Sequence, residues 1–261
     1  MKVTIVGCGD AFASGGRAHT CFRLDSPAGA AIVDFGASSI AAWKRLGFRF
    51  EDVDLVAISH LHGDHFGGLP FLLLDCEFVE RRVRPLIVAG PPGLKARLGQ
   101  MLDASFPSRP PWSFPLELVE LQPGRPARLS GFTLENFEVI HSPGSSPTGL
   151  RLDDGGALFA FSGDTSWTDA LYDIAQDADL FLCECYSGEQ AAPGHLDWPT
   201  LRAKLSGFSA KRMVVTHMSD SALRRRAEME GAGLVAAYDG QIFDLEPRGD
   251  GGARAGVPAL P

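Results

Sequence analysis

A chain of 261 residues is long enough to bury a sizeable core and suits one large domain or two small ones. With 45% hydrophobic and 21% charged residues, the composition is that of an ordinary soluble protein, and no apolar run is long enough to span a membrane. The net charge of −8 argues against broad non-specific binding of nucleic acid, which rests on clustered positive charge. The opening residues, Met1-Lys2-Val3-Thr4-Ile5-Val6-Gly7, lack the basic and apolar regions of a secretory signal and read as a strand entering a turn, so the expected compartment is the cytoplasm.

Short β-branched and apolar runs at Val3–Val6, Thr20–Leu24 and Ala30–Asp34 predict strands. A helix follows over Ala37–Leu46, then a buried strand over Val53–Ser59 that leads into His60-Leu61-His62-Gly63-Asp64-His65. Leu69–Val79 predicts a helix, Pro85–Ala89 a strand, and Leu94–Leu102 a helix behind the Pro91-Pro92-Gly93 entry. Ser105–Pro115, rich in proline and aromatics, reads as a surface loop near the site. Further strands are expected over Leu116–Leu121, Phe132–Ile140, Gly149–Leu152, Ala157–Ser162, Leu180–Glu184, Met213–Thr216 and Gln241–Leu245. Helices fit Trp167–Ala175, Pro199–Leu205 and the charged stretch Ser219–Glu230, where Arg224, Arg225 and Arg226 read as a solvated face. Two mixed halves of similar size suggest two sheets packed face to face with helices outside, in a single domain over residues 1–247 followed by a disordered tail over 248–261.

The five cysteines, Cys8, Cys21, Cys76, Cys183 and Cys185, are odd in number and show no CxxC spacing, so they read as buried small hydrophobes in a reducing compartment. Gly7 and Gly9 follow a strand, but Phe12 stands where a dinucleotide-binding loop needs its third glycine, which leaves a tight turn near the site. His19 has no ligand spacing and reads as a core or supporting residue.

The run from His60 to His65 places three imidazoles and a carboxylate at the end of an apolar strand. Residues two apart in extended chain point the same way, so His60 and His62 can grip one ion, and a turn at Gly63 re-aims Asp64 and His65 toward a second. Such donors at about 2.0–2.2 Å suit zinc, and also manganese or iron. His141, Asp164 and His217 each lie just past the carboxyl end of an expected strand, where side chains converge on one rim. Singly, each has a plainer reading: a strand-end histidine, or for Asp164 an N-cap. Together they complete a site for two ions.

These residues resemble the metallo-β-lactamase superfamily over nearly the whole chain, and its HxHxDH signature is complete as His60, His62, Asp64 and His65. The resemblance implies an αββα sandwich with the site at the strand ends. It also implies that His60, His62 and His141 hold one metal, that Asp64, His65 and His217 hold the other, and that Asp164 bridges them. Gly63–Pro70, Gly90–Lys95 and the late His217 are most similar to the branch containing RNase Z, arylsulfatase-like enzymes and cyclic or diester phosphodiesterases. The resemblance also suggests a homodimer.

The implied chemistry is hydrolysis of a small phosphodiester. Two ions about 3.5–4 Å apart can hold a bridging hydroxide near neutral pH, and Asp64 would orient it. The leaving oxygen then needs a proton from a group that is not a ligand. By resemblance His195 is that group and Glu184 its orienting partner, although Cys185-Tyr186 replaces the Ala-Thr that often follows the glutamate. RNase Z enzymes carry a transfer-RNA-gripping arm between the positions of His141 and Asp164. Here only two strand candidates fill that interval, so transfer RNA is not the expected substrate. The alternatives are a thioester or lactam hydrolase of the same fold, or a module that keeps metal without catalysis. A flavodiiron role is disfavoured, because His62 stands where that branch puts Glu and the chain has no room for a flavin domain.

Overall fold

A computed structural model describes residues 1–248; of the tail expected over 248–261, all but Arg248 lies outside the described residues. The alternation of apolar runs with Gly and Asp turns becomes β1 (Lys2–Gly7), β2 (Cys21–Ser26), β3 (Gly29–Val33), β4 (Leu55–Ala57), β5 (Leu86–Gly90) and β6 (Leu116–Glu120). A second series follows: β7 (Ala127–Leu129), β8 (Phe132–Glu138), β9 (Thr148–Asp153), β10 (Leu158–Phe161), β11 (Leu180–Glu184), β12 (Met213–Thr216) and β13 (Val235–Ala236). The strand β14 (Ile242–Asp244) then returns to the first sheet, whose order is β14-β1-β2-β3-β4-β5-β6, while the second runs β13-β12-β11-β10-β9-β8-β7. Each sheet is antiparallel at one end and parallel at the other: β14 through β3 and β7 through β10 pair antiparallel, the remainder parallel.

Side chains two apart share a face of a strand, and three cores result. Val3, Ile5, Phe22, Leu24, Leu55 and Ala57 face Phe132, Leu150, Phe159 and Phe161 between the sheets. The alternate residues Val6, Ile32, Val56 and Ile58 pack outward against α1 (Ser39–Arg45), α2 (Gly63–Phe66), α3 (Leu69–Leu74) and α4 (Leu94–Ser105) through Trp43, Phe66, Leu69 and Leu98. On the far side, Phe181 and Val215 meet α5 (Ala170–Ala175), α6 (Trp198–Lys204), α7 (Asp220–Leu223) and α8 (Arg226–Gly231) through Leu171, Leu201, Ala222 and Met229. The architecture is therefore the αββα sandwich that the sequence implies.

Local departures have local causes. The helix expected over Ser219–Glu230 is two helices, because Arg225 N–H bonds Ala222 C=O three residues back and Arg225 leaves helical ψ. Arg225 and Arg226 pair with Glu228 and Glu230 on the surface, as a solvated charged face would. The helix expected over Leu69–Val79 is α3 followed by a wider π turn at Asp75–Val79, closed by Glu80 N–H on Asp75 C=O. Ser105–Pro115 buries Phe114 and anchors Ser113 to Glu77; it lines no part of the site, contrary to expectation. Among the described residues no helix is long and apolar enough to cross a membrane. All five cysteines are buried and unpaired by disulfides.

Candidate metal centre

The parallel β3 and β4, and the co-directional β8, β10, β11 and β12, end on one rim between the sheets. After β4, Ser59 N–H bonds the Asp34 carboxylate and delivers His60 and His62 in irregular chain. His65 and Phe66 N–H groups then close on His62 C=O, so α2 presents Asp64 and His65 from its first turn. This packing needs Gly36, where a Cβ would lie 2.1 Å from Asp64 C=O. His141 follows β8, Asp164 follows β10, Glu184 ends β11 and His217 follows β12. Gly163, just before Asp164, has φ +61, and a Cβ there would approach Thr148 C=O to 2.4 Å. His217 itself is left-handed at φ 55, a conformation a histidine holds only where its surroundings impose it.

The donor atoms of His60, His62 and His141 lie within 4.8 Å of one another, and so do those of Asp64, His65, Asp164 and His217. Asp164 stands between the groups. Its Oδ2 is 3.8 Å from His60 Nε2, 3.9 Å from His141 Nε2 and 3.3 Å from His217 Nε2, while Oδ1 is 3.3 Å from His65 Nε2. Asp64 Oδ2 is 3.2 Å from His217 Nε2 and 3.4 Å from His65 Nε2. The plainer reading of Asp164 as a helix cap does not hold, since its side chain is buried in this cluster and caps no helix.

Whether cations fit here is answered by the orphaned atoms. His60 Nε2, His65 Nε2 and Asp164 Oδ1 are buried without a hydrogen-bond partner; the His65–Asp164 approach is close but misaligned. Buried polar atoms without partners are uncommon, and bound ions are among the few things that account for several gathered around one carboxylate. The donor set of imidazole and carboxylate, with no thiolate, suits divalent zinc, manganese or iron.

The opposite ring nitrogens are occupied, which fixes the orientation of two rings. His65 Nδ1 lies 2.7 Å from Asp34 Oδ2, and His141 Nδ1 lies 2.7 Å from Gly194 C=O. Asp34 also accepts Ser59 Oγ–H at 2.6 Å, and that oxygen is 3.2 Å from His60 Nδ1. Partners of this kind set the tautomer and aim the other nitrogen at the ion. Sequence reading missed Asp34 and Ser59. The one signal was that Asp34 follows an apolar strand as Asp164 does; in the structure its backbone is left-handed at φ 56.

Burial and neighbouring charge compete throughout. Burial, reinforced by His65, lowers the His60 imidazole well below its ordinary range; burial and His141 lower His62. Burial opposes the charged forms of His65 and His217, but Asp164 and Asp64 outweigh it and raise both. Burial likewise opposes ionisation of Asp64 and Asp164, yet the facing histidines hold both far below the usual carboxylate range.

Glu184 is fully buried and accepts Thr165 N–H at 2.5 Å and Leu196 N–H at 3.3 Å. Its Oε1 is 3.1 Å from His195 Nδ1, and despite burial this contact pushes the imidazole up to about 9. His195 Nδ1 is also 3.9 Å from Asp164, so the two residues named as acid and orienter stand beside the cluster. The pocket over it, about 300 Å³, is lined by Phe12, His62, Tyr186, Pro193 and His195 among others. His19 lies outside the cluster, its Nδ1 accepting Ser38 N–H. Gly7 and Gly9 pack against the backbone of residues 17–19 in a tight turn.

Residues 1–240 match the profile of the family described as anti-Pycsar protein Apyc1. Among individual relatives, ribonuclease Z of Lachnospira eligens is 23% identical over 304 residues, covering 94% of this chain and 98% of that protein. The probable metallo-hydrolase YhfI of Bacillus subtilis is 24% identical over 225 residues, covering 84% and 87%. The crystal structure of YhfI superposes with a TM-score of 0.75 at 22% identity over 93% of this chain and 98% of that one. A diphosphatase of the PhnP family gives 0.74 at 18% identity over 95% and 99%.

Proposed function

The chain belongs to the anti-Pycsar protein Apyc1 family and is a metallo-hydrolase of the metallo-β-lactamase fold, and from that premise we propose that it is a two-metal phosphodiesterase acting on a small diester. The observation that carries this reading is the Asp164 carboxylate, set between two donor groups in one pocket. His60, His62 and His141 would hold one ion, Asp64, His65 and His217 the other, and Asp164 both. When bound, zinc ions, or manganese or iron in their place, supply Lewis acidity toward a phosphoryl oxygen and the means to deprotonate water near neutral pH.

The remaining work falls to the chain. Asp64 Oδ2, beside His65 and His217, orients the attacking water and accepts a hydrogen bond from it. Asp34 and the Gly194 carbonyl keep His65 and His141 from turning. His195 is charged at neutral pH because Glu184 faces its Nδ1, which leaves Nε2–H to protonate the departing oxygen as the P–O bond breaks. The interval from His141 to Asp164 contains only β9, β10 and their turns, which leaves no arm for a large RNA and favours a small substrate.

The test is metal analysis of purified protein together with turnover of bis(p-nitrophenyl) phosphate, a thioester and a β-lactam. Two ions per chain and activity on the diester are expected, with Asp64→Ala abolishing turnover. Activity on the thioester alone, or full activity with one ion or none, would contradict the proposal.

A further inference from the structure

The Glu184–His195 contact is a single hydrogen bond, and a ring held at one atom can still swing about that bond. His195 stands in a loop, where its N–H closes a turn on Ala192 C=O behind the left-handed Gly194, and 18% of its side chain is exposed. Something else must hold the ring. The Tyr186 ring lies against it with centroids 4.7 Å apart and planes 29° from parallel. His217 is 5.4 Å from His195 at 15° and 6.1 Å from Tyr186, so the three rings pack mutually, and His141 meets His195 edge-on at 4.7 Å. The Tyr186 backbone is itself fixed on both sides, by Cys185 N–H on Thr216 C=O and by Ser219 N–H on Tyr186 C=O.

We infer that Tyr186 is a positioning residue: its ring holds the His195 imidazole so that Nε2–H faces the departing oxygen. This rests on the phosphodiesterase reading above. Partial burial, with Asp10 and Glu184 nearby, pushes the phenol up from its ordinary value, so the ring that supports His195 is neutral. In the step concerned, the P–O bond to the leaving group breaks and its electron pair goes to that oxygen. The oxygen takes the Nε2 proton, and His195 is left as neutral imidazole. A poorly basic leaving group departs without that proton; a more basic one does not. Misplacing His195 therefore penalises substrates according to the basicity of what leaves.

The experiment compares kcat on bis(p-nitrophenyl) phosphate and on diphenyl phosphate for wild type, Tyr186→Phe, Tyr186→Leu, Tyr186→Ala and His195→Ala. Each variant is checked for metal content and thermal unfolding. General-acid assistance is worth roughly 100-fold or more. His195→Ala is expected to lose at least that much more on diphenyl phosphate than on the nitrophenyl ester. Tyr186→Leu and Tyr186→Ala should show about a tenfold version of the same selective loss, in kcat rather than KM, and Tyr186→Phe should restore it. In NMR spectra of the metal-loaded protein, the ring-current shift of the His195 ring protons should survive Tyr186→Phe and vanish in Tyr186→Leu. Equal losses on both esters, a loss confined to KM, or Tyr186→Phe as impaired as Tyr186→Leu would overturn the assignment of Tyr186 while leaving the enzyme class intact. Wild type that turns over neither ester would instead overturn the enzyme class, and this inference with it.

Discussion

The carboxylate of Asp34, just past the end of β3, and the imidazole of His65, in α2 beyond the parallel β4, meet at 2.7 Å, both fully buried. Burial pushes the Asp34 carboxyl up, while His65 and the two bonds from Ser59 pull it back. The pair locks His65 with Nε2 toward the cluster. Asp34→Asn keeps the shape but removes the charge, and should weaken metal binding by about 10- to 100-fold. Isothermal titration of apo-protein with zinc measures this; unchanged affinity would show that Asp34 serves the fold alone.

The two donor groups should separate by mutation. His141→Ala is expected to leave about one ion per chain, and His217→Ala the same, with the other ion lost in each case. Asp164→Asn, which weakens both groups, should leave fewer than either. Elemental analysis after dialysis reads the stoichiometry, and identical occupancy in all three variants would remove the two-group description.

The pH dependence follows from Glu184. In the proposed mechanism His195 works protonated, and its folded value is raised to about 9, so activity should be present below that pH and fall as pH rises through it. Glu184→Gln removes the charge that raises it, and the alkaline limb should then move toward the ordinary histidine value of about 6.5. A kcat profile between pH 6 and 10 (chosen to bracket both values) decides; a limb that stays in place argues for a different acid.

Gly163 and Gly144 offer a paired test of backbone strain. Both have positive φ, but only Gly163 has a backbone oxygen where a Cβ would go; nothing lies within 4 Å at Gly144. Gly144→Ala should cost about 1–2 kcal/mol, the left-handed penalty for an L-residue. Gly163→Ala should cost more and displace Asp164, lowering metal content as well. Urea unfolding of the two variants would show the order, and equal costs would mean that the chain around Thr148 yields freely.

Chelation should reveal how far the ions hold the fold. A ligand bound only by the native state at 100 times its Kd stabilises by about 2.7 kcal/mol, so two tight ions should raise the unfolding temperature markedly. Removing them with a chelator at neutral pH is expected to lower it, and acid should act in the same direction, because protons compete with the ions for the imidazole ligands.

How much of this was legible depends on what each residue announces. The long strands of both sheets declare themselves by apolar runs, and His60 through His65 by sheer density of donors. β7 and β13, of three and two residues, are too short to show a period and exist because a neighbouring strand offers an edge. The break between α7 and α8 leaves no mark in the pattern, since arginine is a good helix former. Asp34 and Ser59 were hidden for another reason: a lone Asp after a strand reads as a turn, and its partner His65 lies 31 residues away. Tyr186 was visible only as a departure from a family pattern, and the role proposed for it needed the ring geometry.

The return of β14 to the first sheet has a consequence for how the chain is made. Lys2 pairs with Asp244, and the amino group of Met1 reaches Leu245 C=O across 244 positions. One edge of β1 must therefore wait on the ribosome, unpaired, until nearly everything else described here has emerged. An open apolar strand edge is a template for a foreign strand. Translation is thus a vulnerable interval for this protein, and stalled or shortened synthesis should yield aggregate.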